Sequence, residues 1–280
     1  MTLITRLNSI TTTTLKYLSL VLGALVALTP VWVILLISFK TGQELADFGA
    51  LALPQNWLNI SNYTTAFTRG NMLLGFTNTS IILAVSLAGT IFIGSMTAYV
   101  LSRFNFRLKR PIIFLFLLAS LVPGVTTQVA TFQVVNALGL FNTLWSAIVL
   151  YLGTDIIAIY IFLQFLESIP TELDEAAILE GASYFTVYWR IILPLLQPAI
   201  ITVIILRGVA IYNDFFTPFI YMPKTELGVI STVLFRFRGP YITQWEVIGA
   251  GIILTMLPTL IIFIALQKYI YNGLTRGATR

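Results

Sequence analysis

Four long stretches of this 280-residue chain contain almost no charged residue, and they limit its fold more than any other feature. Residues 17–39, 70–102 and 247–267 carry no charge, and the 56 residues at 111–166 include a single one, Asp155. An α-helix needs about 20 apolar residues to cross the hydrocarbon of a bilayer. Because the runs are continuous and lack the alternation of a membrane β-barrel, they predict an all-α integral membrane protein.

These runs, with one further apolar stretch at 197–219, predict about six transmembrane helices. The run at 111–166 is long enough for two spans, and a cluster of Asn and Gly at Asn136–Asn142 predicts the break between them. The six spans are predicted at Tyr17–Phe39, at Gly70–Ser102, twice within Pro111–Leu166, at Gln197–Phe219 and at Val247–Gln267.

Composition excludes several classes of function. The chain contains neither histidine nor cysteine, so the commonest metal ligands and the commonest general base are missing. We therefore expect no catalytic residue, no metal site and no cofactor in this chain. Its net charge of +5 does not indicate a nucleic-acid partner, because basic residues of a membrane protein are interpreted by the side on which they lie.

The basic residues are divided unequally between the two sides of the predicted membrane domain. The even-numbered loops and both tails carry ten of them, and the cluster Arg103–Arg110 is the clearest marker. The opposite loops carry five: Lys40, Arg69, Lys224, Arg236 and Arg238. By the positive-inside rule, both termini are expected in the cytoplasm.

The loop between the fourth and fifth predicted spans is acidic, although it lies on the basic side. It holds five of the 11 acidic residues of the chain: Glu167, Glu172, Asp174, Glu175 and Glu180. Thr171 to Asp174 fit a capping box, which predicts the start of a short helix, and Gly181 predicts its end. Ser183 can cap a second short helix that runs towards Pro194.

The first of these short helices suits contact with a soluble partner. Ala176 and Ala177 lack bulk, so another surface can approach closely, and a rigid helix below the membrane can pass motion to the spans. The alternative is an ordinary amphipathic loop that lies on lipid. Anionic lipid favours basic rather than acidic residues, which counts against that alternative.

The loop contains Glu175-Ala176-Ala177, then Gly181 after three residues, then Ile191-x-Leu193-Pro194 after nine more. This spaced pattern resembles the EAA signature of ABC importer permeases. The resemblance implies the type I ABC importer transmembrane fold, in which this loop is a coupling helix seated in a groove of a separate ATPase. The implied ATPase-coupling residues are Glu175, Ala176, Ala177, Gly181, Ile191, Leu193 and Pro194. It also implies three parts: residues 1–69 with the first span and an outer loop, a permease core at 70–267 with the coupling loop at 167–195, and a cytoplasmic tail at 268–280.

The resemblance further implies an assembly in the inner membrane of a bacterial-type cell. An ATPase dimer binds ATP and Mg²⁺, an extracytoplasmic solute-binding protein delivers cargo, and a second, non-identical permease completes a path that works by alternating access. Membrane lipid surrounds the spans, and the tail at 273–280 is expected to reach the ATPase. This chain has no Gly-x-x-x-x-Gly-Lys-[Ser/Thr] phosphate loop, so ATP hydrolysis is assigned to the partner.

Three further motifs resemble the maltose-type group of sugar permeases, which implies a sugar or oligosaccharide as cargo. They are Leu53-Pro54 with Asn62-Tyr63, Asn213-Asp214-Phe215 with Pro218, and Gln267-Lys268-Tyr269 with Gly273-Leu274-Thr275 and Gly277-Ala278. That group commonly has Trp before the Asn-Asp pair, where this chain has Tyr212. An ABC permease for a non-sugar solute is the alternative.

Three ionisable residues lie within predicted spans, where such groups are costly and often functional. They are Asp155, Arg207 and Asp214. Arg207 and Asp214 are seven residues apart, so two helical turns would place them on one face. With Tyr212 and Asn213 they are candidates for the translocation path, and a structural bond to another helix is the alternative. For Asp155 we favour the structural bond.

Two other classes of membrane protein remain as alternatives at this point. A secondary transporter driven by an ion gradient should carry coupling-ion ligands in matched halves, and no matched halves are visible. A membrane-embedded hydrolase without His or Cys would need a Ser–Lys or paired-Asp centre, and neither acidic residue within a span lies in a recognisable catalytic pattern.

Overall fold

The structure is a computed structural model that describes residues 3–153, 155–239 and 243–278. Within these ranges the backbone is almost wholly helical, and an isolated bridge between Arg238 and Thr243 is the one β contact. A π-helix occupies Tyr188–Ile192. The α-helices are α1 Leu3–Ser38, α2 Gly42–Phe48, α3 Ser61–Arg69, α4 Met72–Arg103, α5 Lys109–Ser120, α6 Gly124–Ala137, α7 Leu144–Leu152, α8 Ile156–Glu167, α9 Glu172–Leu179, α10 Tyr184–Val187, α11 Leu193–Leu195, α12 Gln197–Asn213, α13 Phe216–Tyr221, α14 Ile230–Val233 and α15 Trp245–Ala278.

Three helical stretches among the described residues are each long and apolar enough to cross a bilayer. They are Thr12–Ser38, Met72–Arg103 and Trp245–Ala265. Three bent pairs pass the same test: α5 with α6 at 103°, α7 with α8 at 40°, and Tyr184–Leu195 with α12 at 71°. When each bent pair counts as one span, the total is six, which agrees with the all-α membrane fold predicted from the sequence.

The predicted break between the third and fourth spans lies where the sequence placed it. α6 ends at Ala137, and Gly139 adopts a φ of 68° that glycine tolerates without steric penalty. A second break, at residues 121–123 within the third span, was not predicted. Pro123 has no N–H to continue α5 and has an extended backbone, so the third predicted span is divided there into α5 and α6.

The fifth predicted helix also ends earlier than expected. α12 stops at Asn213, six residues before the predicted end at Phe219. Asp214 is extended, with a ψ of 117°, and its Oδ1 accepts a hydrogen bond of 3.2 Å from the backbone N–H of Thr217. This bond lies at the first turn of α13, so the chain starts a new helix instead of continuing the old one.

The chain divides into two compact units, which are described separately. The first unit contains residues 1–72 and 234–258, and the second contains residues 73–233 and 259–280. The three-part division predicted from the sequence stays a prediction. Of its C-terminal tail, 268–280, the side chains lie outside the described residues.

In the first unit, the residues after α1 form an ordered segment around a buried lysine. Lys40 is fully buried, and its Nζ donates hydrogen bonds to the carbonyl oxygens of Gly49 at 2.6 Å and Ala50 at 3.3 Å. Thr41 and Glu44 form a reciprocal capping box that begins α2. Lys40, one of the five basic residues assigned to the outer loops, is therefore enclosed in the fold with backbone carbonyls as its hydrogen-bond partners.

In the second unit, two buried clusters hold the helices together. The larger one joins the end of α4 to α8, to residues 177–196 and to the start of α12. Its members are Ala98, Tyr99, Leu101, Ala158, Ile159, Phe162, Leu166, Ala177, Val187, Tyr188, Ile192, Leu196, Ala199 and Val203. The predicted coupling loop thus rests on a packed core and is not a free loop.

Candidate functional site

Residues 167–195 form the predicted arrangement of helix, glycine turn and second helix. Gly181 ends α9 with a φ of 91°, in the left-handed region. The N–H groups of Gly181 and Ala182 donate to the carbonyls of Ile178 at 2.9 Å and Ala177 at 3.0 Å. These two bonds make a Schellman motif, which fixes the direction in which the chain leaves the helix.

The second short helix starts where the sequence predicted. Ser183 Oγ accepts a hydrogen bond of 3.2 Å from the N–H of Thr186 and so caps α10. The helix continues through the π-helix at Tyr188–Ile192 into α11, which contains Pro194. After Leu196 the chain turns into α12 with a bend of 71°.

The predicted capping box at the start of α9 is absent, and that part of the prediction was wrong. Thr171 precedes the helix, but its side chain makes no capping hydrogen bond. The carboxylate of Asp174, which a capping box would direct back to Thr171, points instead into the core and contacts α4. A long-range ion pair has displaced the local bond.

This contact joins α9 to the last turn of α4. Arg103 Nε lies 3.1 Å from Asp174 Oδ2, and both side chains are only 9% exposed. Tyr99 donates its hydroxyl to Asp174 Oδ1 at 2.9 Å, and Arg103 Nη2 donates to the carbonyl oxygen of Ile169 at 2.9 Å. The acidic helix is therefore fixed to a membrane span by a buried network.

The opposite face of α9 is exposed and carries both acidic side chains and an apolar one. Leu179, in the last turn, is 88% exposed, and Glu175, Ala176 and Glu180 are also exposed. Asp174 and Ala177 form the buried face of the same helix. The helix thus presents a free face to a partner while its other face is packed against its own chain.

The seven predicted coupling residues lie on one continuous segment, but they do not share one surface. Glu175, Ala176, Gly181 and Pro194 are exposed, and Ile191 and Leu193 are half-buried. Ala177 is 8% exposed and belongs to the core beside α4. The free surface therefore includes the exposed face of α9 and the turn at Gly181, while Ala177 belongs to the packed core.

Two of the membrane charges pair with each other. Arg207 of α12 forms a salt bridge through Nε to Asp155 Oδ2. The other carboxylate oxygen of Asp155 accepts a hydrogen bond of 3.1 Å from the N–H of Ala158 and caps α8. The structural bond that we favoured for Asp155 is present in the structure. For Arg207 it is the contact that the structure shows.

Arg207 and Asp214 do not share one face of a continuous helix as predicted, because Asp214 lies beyond the end of α12. Asp214 Oδ2 instead accepts a hydrogen bond of 2.8 Å from the hydroxyl of Tyr151 in α7. Its backbone oxygen accepts one of 2.7 Å from Ser231 Oγ. Asp214 therefore joins α7, α13 and α14 within the second unit.

Tyr212 and Asn213 lie at the end of α12 and differ in surroundings. Tyr212 is half-buried and lines an apolar pocket of about 190 Å³ between α4, α12 and residues 259–263. Asn213 is exposed, and its Nδ2 donates to the carbonyl oxygen of Val209 at 2.9 Å. The four candidate path residues thus do not converge on one cavity.

Sequence reasoning missed the partners in these networks. Tyr99 and Tyr151 looked like ordinary apolar-span residues, and Arg103 was counted only as a topology marker. One signal was available for Arg103, since it directly follows a 33-residue uncharged run and so lies at a membrane boundary. Among the described residues, no group of three or more Asp, Glu, His or Cys could hold a metal ion.

Sequence comparisons with known proteins identify relatives of this chain. The family model described as binding-protein-dependent transport system inner membrane component matches residues 90–276. A probable starch degradation products transport system permease protein, AmyC, from Thermoanaerobacterium thermosulfurigenes is 34% identical, over 95% of this chain and 97% of the relative. The melibiose/raffinose/stachyose import permease protein MelC from Bacillus subtilis (strain 168) is 28% identical, over 90% of this chain and 91% of the relative.

A solved structure shares the fold. One chain of a bacterial ABC transporter involved in the import of the acidic polysaccharide alginate superposes with a TM-score of 0.82. The sequence identity is 20%, and the match covers 96% of this chain and 98% of that chain. The two chains therefore have the same fold.

Proposed function

This chain belongs to the family of binding-protein-dependent transport system inner membrane components, and we propose that it is the permease subunit of an importer for sugars or oligosaccharides. Proteins of this family are transport components rather than enzymes, and they reside in the inner membrane. The fold is that of a type I ABC importer, with several apolar helices. Family membership sets aside the ion-gradient-driven carrier and the membrane hydrolase.

The proposed cargo is a neutral sugar or oligosaccharide. Support comes from relatives named for starch degradation products and for melibiose, raffinose and stachyose, which match 90% or more of the chain. The maltose-type motifs at 53–63 and 213–218 favour the same class. A neutral cargo also suits spans whose charges at Asp155 and Arg207 neutralise each other.

One observation carries the proposed coupling to ATP: the exposed face of α9 places Leu179 among carboxylates. Leu179 is 88% exposed, and Glu175 and Glu180 are exposed near it. An exposed apolar side chain with an acidic residue one turn before it and another next to it fits a groove with an apolar floor and a basic rim, and burial of one leucine is worth about 1.5–3 kcal/mol. We assign that groove to the partner ATPase.

In this scheme the ATPase dimer binds ATP and Mg²⁺, and this chain contributes no ligand to either. Closure of the dimer moves α9, and α9 moves the spans between outward-open and inward-open states. A solute-binding protein delivers the cargo on the opposite side. The bends between α5 and α6 and between residues 184–195 and α12 divide these spans into segments that can move separately.

The proposed path uses the end of α12. Tyr212 and the exposed amide of Asn213 would contact the cargo, while Asp214 positions Tyr151 through its hydrogen bond. Arg207 is engaged by Asp155, so we place it beside the path as a structural cation. Asn213 is exposed in this single chain, and we propose that a second, non-identical permease covers that side.

Cross-linking tests the ATPase contact directly, because the chain has no native cysteine. Leu179→Cys and Leu58→Cys replace leucines that are 88% and 86% exposed, so they form a matched pair. Leu58 lies in the predicted outer loop. Each variant is assembled with the ATPase, labelled with a short maleimide–diazirine cross-linker, irradiated, and analysed by mass spectrometry.

We expect the ATPase to be captured from position 179 and not from position 58. Removal of the ATPase by high salt before cross-linking should abolish the product. Equal capture from both positions, or none from position 179 in an assembly that hydrolyses ATP, would refute the proposed coupling surface. Ala177 is unsuitable for this purpose because it is buried.

A further inference from the structure

Asp174 is the one acidic residue of the coupling loop that the fold buries, and its two oxygens have different partners. Oδ2 faces the Arg103 guanidinium and Oδ1 accepts the Tyr99 hydroxyl, while Arg103 also holds the carbonyl oxygen of Ile169. Tyr99 and Arg103 are four residues apart, so they lie one above the other on α4. The carboxylate is therefore held at two points by one face of a membrane span.

The same turns of α4 also hold the second short helix. Ser95 Oγ and the Tyr188 hydroxyl are 2.9 Å apart and share a hydrogen bond. The rings of Tyr99 and Tyr188 lie 5.6 Å apart, and Tyr188 is buried. Both arms of the coupling loop are thus fastened to residues 95–103 of α4.

Burial makes this contact difficult to break during movement. Separation of Arg103 from Asp174 would leave each charge unpaired in a poorly solvated site, which is strongly unfavourable. The exposed face of α9, with Leu179, points away from this contact. A force applied to the exposed face therefore moves α9 and the end of α4 together.

We propose that Asp174, Arg103 and Tyr99 form a joint that transmits the movement of α9 to α4, and that they are positioning residues for ATP-driven transport. The proposal rests on the proposed function, because it requires the ATPase to act on the exposed face of α9. It goes further in naming the span that receives the movement and the groups that carry it.

Hydrogen exchange in the complete importer tests the joint without knowledge of the cargo. The assembly of this chain with its ATPase, second permease and solute-binding protein is placed in nanodiscs, with and without Mg²⁺ and the analogue AMP-PNP. In the wild type we expect the nucleotide to change amide exchange both at residues 172–181 and at residues 95–103.

In Asp174→Asn the change at 172–181 should remain, while the change at 95–103 should shrink by about fivefold or more. The charge-swapped double variant Arg103→Asp with Asp174→Arg should recover part of it. Glu167→Gln, which alters an exposed acid of the same loop outside the ATPase surface, should behave as the wild type. A merely structural pair would alter both segments together, and that result would overturn the proposal.

Tyr99→Phe provides a milder test that remains valid if Asp174→Asn fails to assemble. It removes one hydrogen bond and keeps the ion pair, so the response at 95–103 should fall by about twofold. An unchanged response there overturns the joint. A wild type that responds at 172–181 but not at 95–103 overturns the joint alone. If neither segment responds and the Leu179→Cys variant captures no ATPase, the proposed function fails as well.

Discussion

Asp155 shows how one side chain can make a charge tolerable within a membrane span. One carboxylate oxygen caps α8 through the N–H of Ala158, and the other pairs with Arg207 of α12. The Asp155 side chain is only 5% exposed, so the charge depends on these two partners. The pair therefore connects the start of α8 to α12.

We predict that Arg207→Ala destabilises the protein by about 3–5 kcal/mol, because it leaves the Asp155 carboxylate buried without a counter-charge. Thermal unfolding in detergent, followed by intrinsic fluorescence, measures the loss. Asp155→Asn with Arg207→Met keeps the capping oxygen and removes both charges, so this double variant should unfold at a higher temperature than Arg207→Ala. An unfolding temperature of Arg207→Ala equal to that of the wild type would contradict the role of the pair.

Lys40 presents the converse case, a buried cation whose partners are backbone carbonyls. Lys40→Met keeps the aliphatic stem but removes the donor to Gly49 and Ala50, which should cost about 1–3 kcal/mol. We expect faster hydrogen exchange at residues 41–59. Lys224→Met removes an exposed lysine from the other predicted outer loop and should leave exchange at 41–59 unchanged. Equal exchange in both variants would show that the buried ammonium does not order this segment.

Sequence alone identified these charged residues but not their partners. Arg103 and Asp174 are 71 positions apart, and Asp155 and Arg207 are 52 apart. Local patterns contain no information about which distant helix will lie alongside. Where a local and a distant partner were both available, as at Asp174, the carboxylate contacts the distant one, because a buried charge without Arg103 would be strongly unfavourable.

At the scale of elements, close packing of α4 on α7 depends on a glycine. A Cβ added at Gly89 would lie 1.8 Å from Leu152 Cδ2 and 3.2 Å from its Cγ, so the Leu152 side chain would have to move. Gly89→Val should therefore destabilise the protein by about 1–3 kcal/mol, as overpacking does, and lower its unfolding temperature. Adding Leu152→Ala should recover part of the loss.

Gly23 provides the matched control, since it lies in another predicted span and a Cβ there meets nothing within 4 Å. Gly23→Val should unfold close to the wild-type temperature. If Gly23→Val and Gly89→Val lose the same stability, the loss comes from β-branching in a helix and not from the contact with Leu152.

Elements fixed by nearby residues were the ones that sequence predicted well. The turn at Gly181, the cap at Ser183 and the break at Gly139 each depend on one residue and bonds within a few positions. The end of α12 was misplaced because Asp214 starts α13 and binds Tyr151, and only the folded chain brings Tyr151 near. The bend at Pro123 was available from the sequence and was overlooked within a long apolar run.

At the scale of the whole molecule, the fold and the family follow from long apolar runs and one spaced motif, and both agree with the comparisons. Sequence could not show that the seven predicted coupling residues differ in burial, because burial of Ala177 depends on the core beside α4. The two faces of α9 therefore have different surroundings. Its exposed face is open to a partner, and its buried face is fastened to a span.

The orientation of the chain in the membrane is the property of the whole molecule that is simplest to test. The predicted cytoplasmic side carries twice as many basic residues as the outer side, and Lys40, one of the outer five, is enclosed in the fold. In intact cells, a membrane-impermeant maleimide should label Leu58→Cys and not Leu179→Cys. After permeabilisation both should react, because the two positions are similarly exposed. Labelling of the Leu179→Cys variant in intact cells would place α9 outside, where no ATPase could act on it.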